Sequence, residues 1–227
     1  MTGAGEGVDD GAPVIEVVAA HAAATSRSDP AVVARAASLL RAGAAVVVPT
    51  DTVYGLAALP SVGGATDRLF SLKGRSADVP IAVLCHDAAQ AFELADGSRI
   101  GADVRRLAAH LWPGPLTLVL PRRPGLALPL GHPPTTVGVR CPDHALVRAL
   151  AAEVGPLATT SANRHGEPTP PTAREVADAL GPGVALVVDG GPCSGAPSTV
   201  VDATRTPWRL LREGSVTLAD VEAAAAS

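Results

Sequence analysis

The stretch Ala44-Ala-Val-Val-Val48-Pro-Thr-Asp-Thr-Val-Tyr-Gly-Leu56 decides the reading of the fold. Its first five residues are a continuous apolar run between Gly43 and Pro49, the pattern of a strand covered on both faces, and such strands belong to α/β sheets. Thr50, Asp51 and Thr52 follow at the strand's C-terminal end, where open α/β sheets bind ligands. Three small polar residues also make an ordinary Asx or Ser/Thr turn, so the tripeptide alone does not separate a site from a turn.

Upstream, Val14–Val18 is β-branched enough for a first strand. Ser28-Asp-Pro30 then places a cap before a proline at the first helical position. Val32, Val33, Ala36, Leu39 and Leu40 recur at helical spacing until Gly43. Downstream, a helix is expected over Ala65–Leu72, delivering Lys73-Gly-Arg75 at its end, with Gly74 as a left-handed cap. Basic residues there also complement the helix dipole, worth roughly 0.3–1 kcal/mol, so the motif alone is weak. Strands follow at 81–85, 116–120, 136–140, 157–160, 184–189, 198–202 and 208–212, with helical patterns near 87–95 and 103–111. Asp143 is read as the cap of a helix reaching Val154, Thr172-Ala-Arg-Glu175 as a capping box, and Thr217 as the start of a short last helix. Alternation puts Thr136, Gly138 and Arg140 on one strand face. Ser161 and Asn163 again stand at a strand's end, and the Pro/Gly-rich 121–135 reads as a loop.

Composition singles out three residues. Lys73 is the only lysine beside seventeen arginines, Tyr54 the only tyrosine and Asn163 the only asparagine. An ammonium is a compact point charge that a guanidinium fork replaces poorly, so these singletons point to one site. Gln90 is equally unique and sits in an ordinary polar context. A hydrophobic content of 47% excludes wholesale disorder, and 2% aromatics leaves Ala, Val and Leu to build the core. A formal charge of −4 argues against a DNA-coating protein but allows a local basic cleft. Cys85, Cys141 and Cys193 have no pairing or zinc spacing and read as buried free thiols. The six histidines show no metal-ligand spacing and read as surface or satisfied groups. No basic leader and no run of about 20 apolar residues is present, so a cytoplasmic protein with no membrane partner is expected.

Seven motifs then occur in order: Pro49-Thr-Asp-Thr-Val-Tyr-Gly-Leu56, Lys73-x-Arg75, Trp112-Pro-Gly-Pro-Leu-Thr117, Val137-x-Val-Arg-x-Pro142, Ser161-x-Asn163, Ser198-Thr-Val-Val-Asp202 and Leu211-Arg-x-Gly214. Together they resemble the YrdC-like threonylcarbamoyl-AMP synthases over residues 14–222. The resemblance implies a twisted, mostly mixed open α/β sheet flanked by helices, with a basic concave face. It implies an enzyme, a nucleotidyltransferase that joins ATP, L-threonine and bicarbonate into threonylcarbamoyl-AMP and pyrophosphate, for modification of tRNA. By the same resemblance Lys73, Arg75, Ser161 and Asn163 hold phosphate and carbamate oxygens. Thr136, Thr169 and Arg212, with Arg75 and Ser161, contact the nucleotide, while Thr52, Arg140, Thr159 and Ser198 surround threonine.

Mg²⁺ is expected on the phosphates with no protein ligand set, and a downstream threonylcarbamoyl transferase complex as partner. Leu84 stands where many relatives have His near the threonine pocket. Val79 replaces a polar residue close to ATP, and Glu213 a usual Pro. Residues 1–13 are expected as a disordered tail, 14–222 as the catalytic domain and 223–227 as a C-terminal tail, without the extra domain of longer relatives. Two further readings are a binding module for tRNA or double-stranded RNA, whose affinity would fall steeply with salt, and a carbamoyl-phosphate-using transferase.

Overall fold

Apolar runs bounded by turn residues leave little choice but a sheet buried on both faces, and the computed structural model of residues 15–19, 28–193 and 195–226 has one. Ten strands form it: β1 (Glu16–Ala19), β2 (Val46–Val48), β3 (Gly55–Ala58), β4 (Ala82–Leu84), β5 (Leu116–Pro121), β6 (Thr136–Arg140), β7 (Leu157–Ser161), β8 (Leu186–Asp189), β9 (Thr199–Asp202) and β10 (Arg209–Arg212). Their spatial order is β1-β8-β2-β3-β7-β4-β6-β5-β9-β10. The β1–β8, β2–β8, β4–β6 and β5–β9 pairs are parallel and the others antiparallel, so the sheet is mixed and open. The tail expected over 1–13, and Val14, lie outside the described residues.

Period-two alternation sends the three valines of β2 to two cores, one on each face of the sheet. Val46 and Val48 pack with α1 (Pro30–Arg41) and α5 (Ala145–Val154) on one face. Val47 faces the other side, with α2 (Ala65–Lys73), α4 (Ala102–Leu111) and α6 (Ala173–Leu180). A short α3 (Ala88–Glu93) and a final α7 (Leu218–Ala226) complete the helices among the described residues. The Asp29 carboxylate caps α1 by accepting from Ala31 N, and the Thr172–Glu175 capping box opens α6 as the sequence requires.

Three local expectations change. The strand β3 lies in a stretch with no strand signal, because Gly55-Leu-Ala-Ala58 has little β propensity of its own and is ordered by antiparallel neighbours β2 and β7. Asp143 does not cap α5: His144 holds that position and makes no side-chain cap bond. The C-terminal tail placed at 223–227 is helix through Ala226, since α7 packs on α4 and buries Val221 and Ala224.

Candidate active site

One face of β4, β5, β6, β7 and β9, with the loops around it, lines a cavity of about 500 Å³. Ten of the eleven residues that the resemblance assigns to the site line it: Thr52, Arg75, Thr136, Arg140, Thr159, Ser161, Asn163, Thr169, Ser198 and Arg212. Lys73 does not. Leu84 and Val79 also reach the wall, on β4 and on the segment after α2.

Lys73 ends α2, where Gly74 (φ 60°) turns the chain in the left-handed conformation that a glycine cap supplies. Its side chain is buried at 4% exposure, and its ammonium donates to Ser161 O (2.6 Å), Ser161 Oγ (3.3 Å), Asn163 O (2.8 Å) and Asn163 Oδ1 (3.0 Å). His165 N returns a bond to Lys73 O. Three ammonium hydrogens facing four oxygens of one turn leave none to spare. Lys73 therefore holds the turn that carries Ser161 and Asn163 to the cavity. Burial and the charge of Arg75 push its pKa down to about 8. Asn163 extends the scaffold, with Nδ2 donating to Arg164 O and Glu167 O while Oδ1 accepts from Thr169 Oγ1.

The arginines are braced in a different way. Arg75 donates to Val79 O, Pro80 O and Thr160 Oγ1, fixing the loop after α2 to β7. Arg212 donates through Nε and Nη2 to Ser198 O and through Nη2 to Ser198 Oγ, and Ser198 Oγ in turn pairs with Thr117 Oγ1 at 2.9 Å. Arg140 donates to Gly114 O, Thr52 Oγ1 and Asp51 Oδ1. Burial lowers the pKa of Arg75, with Arg212 adding to the effect, and burial lowers that of Arg212, with Arg140 adding. Like charges that share one wall favour an anion between them.

Other lining residues were given no role by the sequence. Arg122 follows β5 and bonds Thr136 O and Leu128 O. Thr117 lines the wall too, and its signal was legible: one hydroxyl inside the apolar run Leu116–Leu120. Glu167 is the one carboxylate among the described lining residues.

Tyr54 is fully buried and donates to Gly191 O at 2.7 Å while accepting from Gly190 N, so it pins the glycine-rich loop after β8. Next to it, a Cβ on Gly55 would stand 2.8 Å from Thr159 Cγ2, which explains glycine there. Cys85 and Cys141 are buried free thiols as expected, but Cys193 is half-buried. His144 departs from the surface-or-satisfied reading, because its Nδ1 is buried without a hydrogen-bond partner, whereas the ring of His86 is partly exposed and its Nε2 meets Asp87 Oδ2 at 3.0 Å. Among the described residues no cluster of three or more His, Cys, Asp or Glu is arranged to hold a metal, and no helix is long and apolar enough to cross a membrane.

An open mixed α/β sheet flanked by helices, with four arginines on the wall of one cavity, defines the class of fold and site. Residues 38–214 match the family model of Sua5, YciO and YrdC proteins, described as "Telomere recombination", and the chain belongs to that family. It is 40% identical over 201 residues to a threonylcarbamoyl-AMP synthase of Bacillus subtilis, covering 87% of this chain and 57% of that one. It is 39% identical over 186 residues to a putative threonylcarbamoyl-AMP synthase of Mycobacterium tuberculosis, covering 80% and 83%. The fold superposes on P. abyssi Sua5 complexed with L-threonine with a TM-score of 0.83 at 36% identity, covering 93% of this chain and 60% of that one. The chain thus spans little more than half the length of its Bacillus relative.

Proposed function

We propose that the chain is a nucleotidyltransferase that forms L-threonylcarbamoyl-AMP and pyrophosphate from ATP, L-threonine and bicarbonate, for threonylcarbamoyl adenosine in tRNA. The observation that carries this reading is the mutual crowding of Arg75, Arg140 and Arg212 around one cavity, which a triphosphate and a carboxylate would together relieve. The names of the relatives and the L-threonine in the P. abyssi complex supply the chemical identity.

The reaction needs the threonine amine and bicarbonate to give a short-lived carbamate, with loss of water. A carbamate oxygen then attacks the α-phosphorus and pyrophosphate leaves. Such chemistry is mostly positioning and charge neutralisation. In this reading Arg140 pairs the threonine carboxylate, with Thr52, Thr159 and Ser198 beside it. Arg75 and Arg212 neutralise phosphate oxygens, with Thr136 and Thr169 on the nucleotide. Ser161 and Asn163 contact the reacting oxygens from the turn that Lys73 holds. Mg²⁺ would travel on the phosphates and spread their charge, with Glu167 the carboxylate nearest to hand on the wall. The product is unstable and charged, so a transferase complex acting on tRNA in the cytoplasm is the proposed recipient.

The test is incubation with ¹³C-bicarbonate, threonine and ATP followed by mass spectrometry. One label in a threonine-bearing adenylate is expected. An unlabelled adenylate, or labelling without threonine, would overturn the reading.

A further inference from the structure

The wall of the cavity is built partly by a residue that never reaches it. We propose that Asp51 is a positioning residue that fixes the Arg140 guanidinium for the amino-acid carboxylate, an inference that rests on the threonine subsite read above. Asp51 does not line the cavity, whereas its chain neighbours Thr50 and Thr52 do. It acts on a bound molecule only through Arg140.

The geometry is a brace. Arg140 donates from Nε to Gly114 O at 3.1 Å, from Nη1 to Thr52 Oγ1 at 3.0 Å, and from Nη2 to Asp51 Oδ1, with the ion pair's side chains 6% and 13% exposed. Thr52 is itself held, because its N–H donates to Thr50 Oγ1 and the two hydroxyls pair at 3.0 Å. One turn at the end of β2 thus grips both terminal nitrogens of the fork. A guanidinium has five N–H groups, so one on Nη1 and one on Nη2 remain for a ligand. Two parallel N–H bonds are what a carboxylate accepts most strongly, and only a fork held in one rotamer offers them without a further ordering cost.

A second observation separates this role from simple stabilisation. Asp51 Oδ2 is buried with no hydrogen-bond partner. A buried carboxylate oxygen left unpaired is costly, so an acid selected for stability alone should use both oxygens. Asp51 spends one oxygen on Arg140 and leaves the other bare.

The experiment is steady-state pyrophosphate release by the full chain, with threonine varied at saturating ATP and bicarbonate, then ATP varied. Asp51→Ala is expected to raise KM for threonine about tenfold or more, with kcat and KM for ATP within about threefold. Asp51→Asn keeps the Oδ1 acceptor and is expected to stay within about threefold of the parent. Asp51→Ser, too short to reach Nη2, carries the alanine expectation should Asp51→Ala fail to fold. Unchanged threonine KM in the Ala or Ser variant, while Arg140→Ala raises it, would overturn the positioning role and leave the subsite intact. Equal losses for threonine and ATP would also overturn it. If Arg140→Ala itself leaves threonine KM unchanged, the subsite reading fails, and the proposal with it.

Discussion

Lys73 and Arg140 are the two cations that the fold buries among the described residues, at 4% and 5% exposure, on different sides of the same cavity. Lys73 meets four oxygens of one turn and does not line the wall. Arg140 commits three N–H groups to the protein and stands on the wall with two in reserve. Arg140 is paired with Asp51 and hydrogen-bonded, whereas Lys73 is compensated by hydrogen bonds to neutral oxygens alone. The difference lies in what is left over: an ammonium surrounded on all sides builds a site, while a fork braced from behind presents one.

The largest expected effect breaks the comparison on the Arg140 side. Arg140→Ala should lower kcat/KM for threonine about 10³-fold, roughly 4 kcal/mol of binding in the transition state. Affinity for a non-hydrolysable ATP analogue, read by calorimetry, should change little. Equal loss of both ligands would mean that Arg140 is scaffold like Lys73.

On the Lys73 side the main casualty is stability. Lys73→Ala leaves a turn's buried oxygens without a donor, which should cost about 3 kcal/mol and lower Tm by about 6–12 °C. Activity should fall with it, because Ser161 and Asn163 lose their mount. A parental Tm by calorimetry with activity abolished would return Lys73 to the role of a direct substrate clamp.

A finer effect follows from protonation. The Lys73 pKa of about 8 lies below the ordinary lysine value, so between about pH 8 and 10.5 the unfolded chain binds the extra proton. Stability of the parent relative to Lys73→Met should therefore be flat below pH 8 and rise through that window. Urea unfolding at several pH values reads it, and a falling difference would contradict the assignment. The smallest effect is the control on the sheet's far edge, where the exposed Arg35–Glu16 pair joins α1 to β1. Arg35→Ala should change stability by less than about 1 kcal/mol and leave kcat/KM unaltered.

This contrast also marks how far sequence reading reaches. Strands β2, β5 and β8 were legible because each is an apolar run cut off by turn residues, and the capping box of α6 needed only four residues. β3 was not, since its order comes from β2 and β7 and its glycine from the approach of Thr159. Ten site residues lie on the cavity because the ordered motifs carry them and period-two alternation sends Thr136 and Arg140 to one sheet face. The Lys73 environment was hidden because its partners lie 88 and 90 residues further along the chain. A helix C-terminus predicts a cation but says nothing of the distant turn that covers it. Asp51 was visible as a polar residue at a strand's end, but its pairing with Arg140 exists only once β2 and β6 share a sheet.

The central claim, that this cavity joins three substrates, is tested most directly by pyrophosphate release with ATP, threonine and bicarbonate omitted in turn. The account predicts release only when all three are present, and its near loss in Arg140→Ala. Release at the full rate without threonine or without bicarbonate would contradict it.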